Sequence, residues 1–473
     1  MFALYSFYRY NIQTLFFEVY IIMIKERDGF SSKFGIIAAA AGSAIGLGNI
    51  WKFPYITGEN GGGAFLLVYL ICIVLIGLPI LISEMLIGRR SNKNAVDSFS
   101  QISGLKGWKI PGALAMGTSF FILAFYGVVA GWTLNYVKLS LTNSFSGKSV
   151  ETIDSLFNSF ITNPVEPIIF QSIFMVITGA VVLLGVHNGI EKASKILMPF
   201  LLIIILILNV RAVTLDGASE GLKFLFKPDF SRLTRDGVLE ALGHAFFTLS
   251  LGMGIMLTYG SYIKKDVNLG TTAVQVAIAD TVIALLAGVA IFPAVFAFNI
   301  EPASGPGLVF ITLPNIFNQM AGGFFFQLLF FILLAIAALT STVSLLEVTV
   351  AYVSEDSKLD RKKSTIIVVL ALIIIGTVFS LSMSPNSIFS SISIKNMNLF
   401  DFVDYFTANW MLPIVALSVS IFVGWVMKKS DVKDEISSSG VYASKYSKVF
   451  MIMIKFISPI LIAIVFLNKV FGI

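Results

Sequence analysis

The chain is short of the residues that soluble proteins use for surface and for chemistry. Its 473 residues include one cysteine and two histidines, and only 13% are Asp, Glu, Lys or Arg. The lone Cys72 excludes a disulfide framework. His187 and His244 are the only histidines, so the catalytic constellation of an intramembrane enzyme is missing, and each reads as an interfacial or satisfied side chain. No Walker-type glycine loop is present, which removes the usual phosphate cradle of an ATP-driven machine. Soluble domains carry about 25% charged residues, so a soluble fold of this length would lack polar surface. What the chain does have is apolar: 56% of residues are hydrophobic and the mean hydropathy is +0.88. The net charge of +6 would point to nucleic acid in a soluble protein. Here the basic residues sit in loops, where the positive-inside rule accounts for them without a nucleic-acid partner.

Apolar runs of the length needed to cross hydrocarbon, about 20 residues, recur along the chain. They predict eleven spans at 34–57, 62–88, 111–140, 166–185, 190–212, 237–262, 271–299, 321–354, 364–383, 398–427 and 449–470. The expected class is an all-α polytopic membrane protein of the cell membrane, with the lipid bilayer as its solvent. A β-barrel would show short alternating segments instead. The loops Arg89–Lys109, Lys264–Lys265, Lys358–Lys363 and Lys428–Lys448 are rich in Lys and Arg and all follow even-numbered spans; Lys25–Lys33 matches them. That side is expected to be cytoplasmic, with the N-terminus there and the C-terminus outside. One long loop on the other side carries Arg211, Lys223, Lys227, Arg232 and Arg235, mixed with Asp216, Glu220, Asp229 and Asp236. Such long mixed segments weigh less in the rule. The first 26 residues form an aromatic, apolar N-terminal extension. It reads either as an interfacial helix or signal segment, or as an upstream start with Met23 as the true one. The absence of a small-residue cleavage site favours the second reading.

Two of the spans carry residues that weaken a helix. The first, "GSAIGLGNIWKFPY", has Gly42, Gly46 and Gly48, followed by Asn49 and Lys52. Close helix packing through small residues accounts for Gly42 and Gly46, but not for an amide and an ammonium beside them. The sixth, "AFFTLSLGMGIMLTYGSY", places Thr248, Ser250, Gly252 and Gly254 in an apolar frame. The first and sixth spans each begin a group of five. Interrupted segments at matching positions of two halves mark a transporter binding site, where freed carbonyls can ligate cations and half-helix N-termini can hold a carboxylate. In the next span, Asp280 is a carboxylate in an apolar helix with no Lys or Arg nearby in sequence, which by default marks a functional position.

Six motifs in order carry a resemblance over nearly the whole chain from about residue 27: "GSAIGLGNIWKFPY" with "NGGGAF", "GLPILISEMLIGR", "AFFTLSLGMG", "AALTSTVSLLE" and "LFDFVDYFT". The chain resembles the neurotransmitter:sodium symporters, in their prokaryotic amino-acid-transporting branch. The resemblance implies the LeuT-type fold, a 5+5 inverted repeat with discontinuous first and sixth helices. It divides the chain into repeats at 27–212 and 213–427 and a final cytoplasmic loop and helix at 428–473. It implies two Na+ ions and a small amino acid as substrate, and leaves the protein's assembly open between a monomer and a weak dimer. The first sodium site would use the Ala44 carbonyl, Asn49, Thr248 and Asp280, where many members have Asn. The second would use carbonyls of Gly42, Ile45 and Ala337 with the hydroxyls of Thr340 and Ser341. Taken alone, those two hydroxyls read as ordinary back-bonding to the preceding turn. The substrate pocket would be lined by Ala44, Gly46, Ile122, Tyr126, Phe247, Ser250, Met253 and Thr342. Members that carry monoamines place an aspartate at the position of Gly46. A glycine there implies a substrate with its own carboxylate, and the otherwise apolar wall with flexible Met253 implies a hydrophobic or aromatic side chain. Ala284 stands where chloride-dependent members have a serine, so no chloride requirement is expected.

For the gates, the resemblance implies Lys52 with Asp401 outside, under a lid of Tyr126 and Phe247, and Arg27 with Glu355 inside, braced by Tyr262. Lysine in place of the family's frequent arginine lacks the bidentate fork. Arg27 and Glu355 also read as plain solvated loop charges. Phe30 replaces a frequent tryptophan, and Glu84 is expected to brace the broken first helix. Glu347 reads either as a proton-linked site or as a paired charge near the cytoplasm. Gly189 precedes Pro199 by ten residues, a spacing at which the fifth span could unwind and admit water; an ordinary helix start with a common membrane proline reads as well. A proton-coupled carrier or exchanger on the same fold, and a transport-dead amino-acid sensor, are the alternatives. The pair Thr340 and Ser341 argues against the first, and the largely intact gates and ion ligands argue against the second.

Overall fold

The computed structural model describes residues 29–298, 307–357, 359–442 and 446–471. The N-terminal extension, Met23 and Arg27 lie outside the described residues. Within them, no strand forms beyond two isolated bridges, Gly62 to Pro228 and Ile394 to Met397. The spans are α1 (Lys33–Ala44) continued by α2 (Gly48–Glu59), α3 (Gly63–Ser91), α4 (Lys106–Leu141), α5 (Glu166–Leu183) and α6 (Val186–Val213). A second interrupted pair follows, α7 (Arg235–Thr248) and α8 (Ile255–Gly260). Then come α9 (Leu269–Ala297), α10 (Gly323–Asp356), α11 (Arg361–Ser382), α12 (Leu399–Val426), α13 (Lys429–Ser437) and α14 (Ser447–Val470). Among the described residues nine helices are long and apolar enough to cross a membrane, and α1 with α2 makes a tenth crossing bent by 48°. The sixth expected span is the pair α7 and α8, each half too short to cross alone.

Helix starts are set by short polar side chains. Ser32 caps α1, Thr234 caps α7, Asn268 caps α9, Asp360 caps α11 and Asn398 caps α12, each accepting a backbone N–H three residues on. Such caps satisfy donors that the first turn leaves open, at the level where the chain enters hydrocarbon. Within the bundle α4 lies along α10, α9 packs on both α1 and α6, and α8 packs on α3. The α3–α8 contact is close enough to require glycine. A Cβ on Gly88 would stand 1.9 Å from the Leu257 carbonyl oxygen, and one on Gly260 2.5 Å from that of Met85. Without a hydrophobic effect between helices in lipid, such backbone proximity is a main source of cohesion.

The stretch 428–448, expected as a loop, contains a helix, α13. Its acidic residues turn toward the end of α3. Arg89 donates from Nε to Glu435 at 2.7 Å, with both side chains 1% exposed. It also donates to the carbonyls of Val267, at 2.6 Å, and Glu435. Arg90 pairs with Asp431 at 3.0 Å and Asp434 at 3.1 Å. Hydropathy misses this helix because its stability comes from pairing across the fold rather than from apolar periodicity. Removing one partner of a buried ion pair strands the other, at about 3–5 kcal/mol. The Glu435→Ala protein is therefore expected to unfold at a clearly lower temperature in detergent. The paired replacement Arg89→Met with Glu435→Leu should recover much of the loss in the same thermal scan.

Candidate functional site

Both helix breaks lie in the bundle centre and hold one another. α1 ends at Ala44, and Ile45 is extended (φ −78°, ψ 97°). α7 ends at Thr248, and the chain passes through left-handed conformations at Ser250 (φ 54°), Gly252 (φ 75°) and Gly254 (φ 73°) before α8. A Cβ on Gly252 would approach the Leu412 carbonyl oxygen to 2.8 Å, so glycine is required there twice over. Ser250 has no such freedom and is held by bonding: its hydroxyl donates to the Ser43 carbonyl at 3.0 Å, and the Ser43 hydroxyl reaches it at 3.2 Å. Glu84, fully buried on α3, accepts the Gly252 N–H at 2.7 Å. It thus braces the second break, not the first as the sequence reading had it. The motif locates the residue in the chain but carries no information about which interrupted helix faces it.

The residues expected at the first ion site converge. Asn49 accepts the Gly46 N–H at 3.0 Å and donates through Nδ2 to the Asp280 carboxylate at 2.7 Å and carbonyl at 3.1 Å. Thr248 donates to the same carboxylate oxygen at 2.8 Å. Tyr69 donates to the other oxygen at 3.2 Å. Tyr69 escaped sequence reasoning, since a mid-span tyrosine gives no periodic or compositional signal. Ala44 lines the adjoining cavity. At the second site the Thr340 hydroxyl lies 3.1 Å from the Ala337 carbonyl and 3.5 Å from that of Ile45, on the other helix. Ser341 reaches the Ser43 carbonyl at 3.3 Å. Gly42 faces both Thr340 and Met198 of α6. Thr340 therefore back-bonds within its own helix and also spans to the first break. The donors at both sites are hydroxyl, amide and carbonyl oxygens with a single carboxylate, and the described residues hold no group of three or more His, Cys, Asp or Glu arranged to hold a metal ion. That chemistry suits a hard monovalent cation rather than a transition metal.

Seven of the eight expected pocket residues, Ala44, Gly46, Ile122, Tyr126, Phe247, Ser250 and Met253, line one cavity between the breaks. Thr342 does not. Its hydroxyl pairs with Thr178 of α5 at 2.9 Å. One residue along a helix is a rotation of about 100°, so Ser341 faces the cavity and Thr342 turns away; Leu345, a turn further on, completes that wall. The cavity measures about 20 Å³, room for water rather than for an amino acid. Tyr126 closes the polar end, its hydroxyl accepting the Leu47 N–H at 3.0 Å. A Cβ on Gly46 would lie 2.4 Å from the Ser341 hydroxyl oxygen and 3.0 Å from that of Tyr126.

Above the cavity, the Phe247 ring rests against Gly48, and the Lys52 ammonium sits 4.6 Å over the ring centre. The expected pair of Lys52 with Asp401 is not among the ion pairs of the described residues. Asp401 is exposed and accepts from Asn398 at 2.8 Å, as part of the α12 cap. Asp404, nearly one turn further on in the same motif, is partly buried. His244 lies fully buried between Phe53 and Tyr69, with neither ring nitrogen hydrogen-bonded within the described residues.

On the opposite side Glu355 accepts from the Asn94 backbone at 3.2 Å and side chain at 2.9 Å. Its expected partner Arg27 lies outside the described residues. Tyr262 donates to Glu347 at 2.6 Å, and Arg361 clamps the same carboxylate. Glu347 is thus a paired charge, the second of its two readings. Phe30 stands edge-on to Tyr259 and Tyr262. Gly189 lies in the wide first turns of α6, Val186–Glu191, and the helix then runs unbroken past Pro199. From those turns Glu191 accepts Ser31 and Ser32 at the start of α1, at 2.8 and 3.0 Å.

Residues 27–154 and 159–473 match the Sodium:neurotransmitter symporter family. The chain belongs to this family. It is 39% identical over 441 residues to an uncharacterized sodium-dependent transporter, YhdH, of Bacillus subtilis, covering 93% of this chain and 97% of that one. An uncharacterized sodium-dependent transporter of Haemophilus influenzae is 36% identical over 457 residues, covering 94% and 99%. Among solved structures, MhsT in complex with L-phenylalanine superposes with a TM-score of 0.86 at 45% identity, covering 94% of this chain and all of that one. As a symporter of this family the chain is a sodium-dependent, multi-pass membrane transporter with the LeuT-type fold. In the symporter, replacing both Thr340 and Ser341 by Ala removes two hydroxyl oxygens from the expected second ion site. At about 1 kcal/mol each, the sodium concentration for half-maximal uptake is expected to rise roughly tenfold or more, read from uptake against sodium.

Proposed function

We propose that the protein imports an L-amino acid with a hydrophobic or aromatic side chain, driven by two sodium ions, by alternating access and without chloride. One observation carries the reading. Gly46 leaves no space for a side chain, yet it lies where the N-terminus of α2 meets the Tyr126 hydroxyl and the Asn49–Asp280 pair. A helix N-terminus favours an anion. A substrate carboxylate there would take up the Leu47 N–H and the Tyr126 hydroxyl, and would add an oxygen to the first cation site. Its amine would meet the unwound backbone at Ser250. Its side chain would lie toward Ile122, Met253 and Leu345, an apolar wall that adapts through the flexible thioether. The L-phenylalanine in the MhsT complex supports the same class of substrate.

Coupling follows from shared groups. Ala44 and Ile45 belong to the same break as the substrate-facing Gly46, so a cation that organises this backbone also shapes the polar end of the pocket. Asp280 supplies a fixed negative charge, and the wholly buried Ala284 stands where chloride-dependent members have a serine. The two five-helix repeats, 27–212 and 213–427, would move against one another about the fixed site, with the N-terminus in the cytoplasm and the C-terminus outside.

The test is uptake of labelled L-amino acids into proteoliposomes, with and without an inward sodium gradient. Sodium-stimulated uptake of Phe, Trp, Leu or a similar residue is expected; no stimulation for any amino acid would overturn the reading. Replacing chloride by gluconate at constant sodium should leave the rate unchanged. Gly46→Asp places atoms against Ser341 and Tyr126, and overpacking of about 1–3 kcal/mol should weaken substrate binding about tenfold or more. Competition binding on the folded variant would measure it.

A further inference from the structure

Outside the central cavity, a groove of about 500 Å³ opens between α13 and the first turns of α14. Four lysines line it: Lys429 and Lys433 from α13, Lys448 and Lys455 from α14. Its floor is apolar and includes Met451 and Phe456. The charges of α13 are sorted by face. Asp431, Asp434 and Glu435 are taken up by Arg89, Arg90 and Lys265 on one side. Lys429 and Lys433, four residues apart and so on one face, turn to the groove. Among the described residues, no ion pair joins any of the four groove lysines to a carboxylate. Lys455 is held in place by its contact with Trp425, 4.2 Å from the ring centre. Four ammonium groups around one cavity with no countercharge leave a strong local positive potential, and the missing charge is an anion.

The walls also say what kind of anion. Along α14, Ile452, Phe456 and Ile460 are half exposed, at 55%, 49% and 58%, on the face that continues out of the groove into the hydrocarbon level. A ligand that fills the groove and follows this face has an anionic head and an apolar tail. The groove lies at the end of the bundle where the lysine-rich loops gather. We propose that it binds an anionic phospholipid, the phosphate among Lys429, Lys433, Lys448 and Lys455, the acyl chains along α14. The same helix α13 is tied to the connection before α9, where Ser438 donates to the Val267 carbonyl at 3.0 Å and Tyr442 to that of Asp266 at 2.9 Å. A lipid held here therefore steadies the link between the second broken helix and α9.

The experiment uses the full chain, delipidated in neutral detergent, titrated with dioleoylphosphatidylglycerol. Thermal unfolding and native mass spectrometry are the readouts. Phosphatidylglycerol should raise the unfolding temperature and remain bound, whereas dioleoylphosphatidylcholine should do neither. In Lys429→Gln with Lys433→Gln the affinity should fall roughly 30-fold, from the effect per lysine at a membrane surface. Lys429→Arg with Lys433→Arg should retain it. Lys93→Gln with Lys362→Gln removes the same charge from exposed positions outside the groove and should leave binding unchanged. Three results would overturn the proposal: equal binding of phosphatidylcholine, an equal loss in the Lys93 and Lys362 variant, or displacement of the lipid by glycerol phosphate at equal concentration. The last would make the groove a site for a free phosphate.

Discussion

A main chain that leaves the helix inside a bilayer exposes polar groups with no water to satisfy them. That constraint organises the centre of this protein. The N–H of Leu47 finds Tyr126, that of Gly46 finds Asn49, that of Gly252 finds Glu84, and the Ser43 carbonyl finds Ser250. These partners come from α4, from α2 itself, from α3 and from the opposite break. The two interruptions are thus held by bundle and by each other. Of the side chains recruited for that purpose, Tyr126 and Ser250 also line the cavity and Asn49 also reaches Asp280, so a few polar residues serve more than one need.

Charge inside the span region obeys a similar economy. Asp280 collects Asn49, Thr248 and Tyr69, and Glu347 collects Tyr262 and Arg361. A carboxylate in a medium of low polarity is stable only with donors around it. The two cases differ in kind. Glu347 has a formal countercharge and forms a closed contact that can brace one end of the bundle. Among the described residues Asp280 has neutral donors only, with no formal countercharge.

Much of this was legible in the sequence because the signals were anomalies against an apolar background. Gly48-Asn49, Thr248 and Asp280 stand out in any hydropathy reading, and the order of motifs assigns them to one fold. What could not be read was direction. Ser341 and Thr342 are adjacent hydroxyls, and only the phase of α10 tells which faces the cavity. Asp401 and Asp404 lie on the same motif, and the α12 cap takes the first. Glu84 was recognised, but its partner depends on which break α3 meets. α13 was hidden for a different reason. Its fold is specified by Arg89 and Arg90, more than 300 positions earlier, and local composition holds no trace of such a pairing.

The clearance at Gly46 has a consequence for how such a site can change. The atom that blocks a side chain there is the Ser341 hydroxyl oxygen, 2.4 Å from where a Cβ would lie, and Ser341 also faces the first break through the Ser43 carbonyl. A side chain at position 46 therefore requires the Ser341 hydroxyl to turn aside or to be replaced, and either change alters what faces the Ser43 carbonyl. Positions 46 and 341, on two different helices, are thus expected to change together.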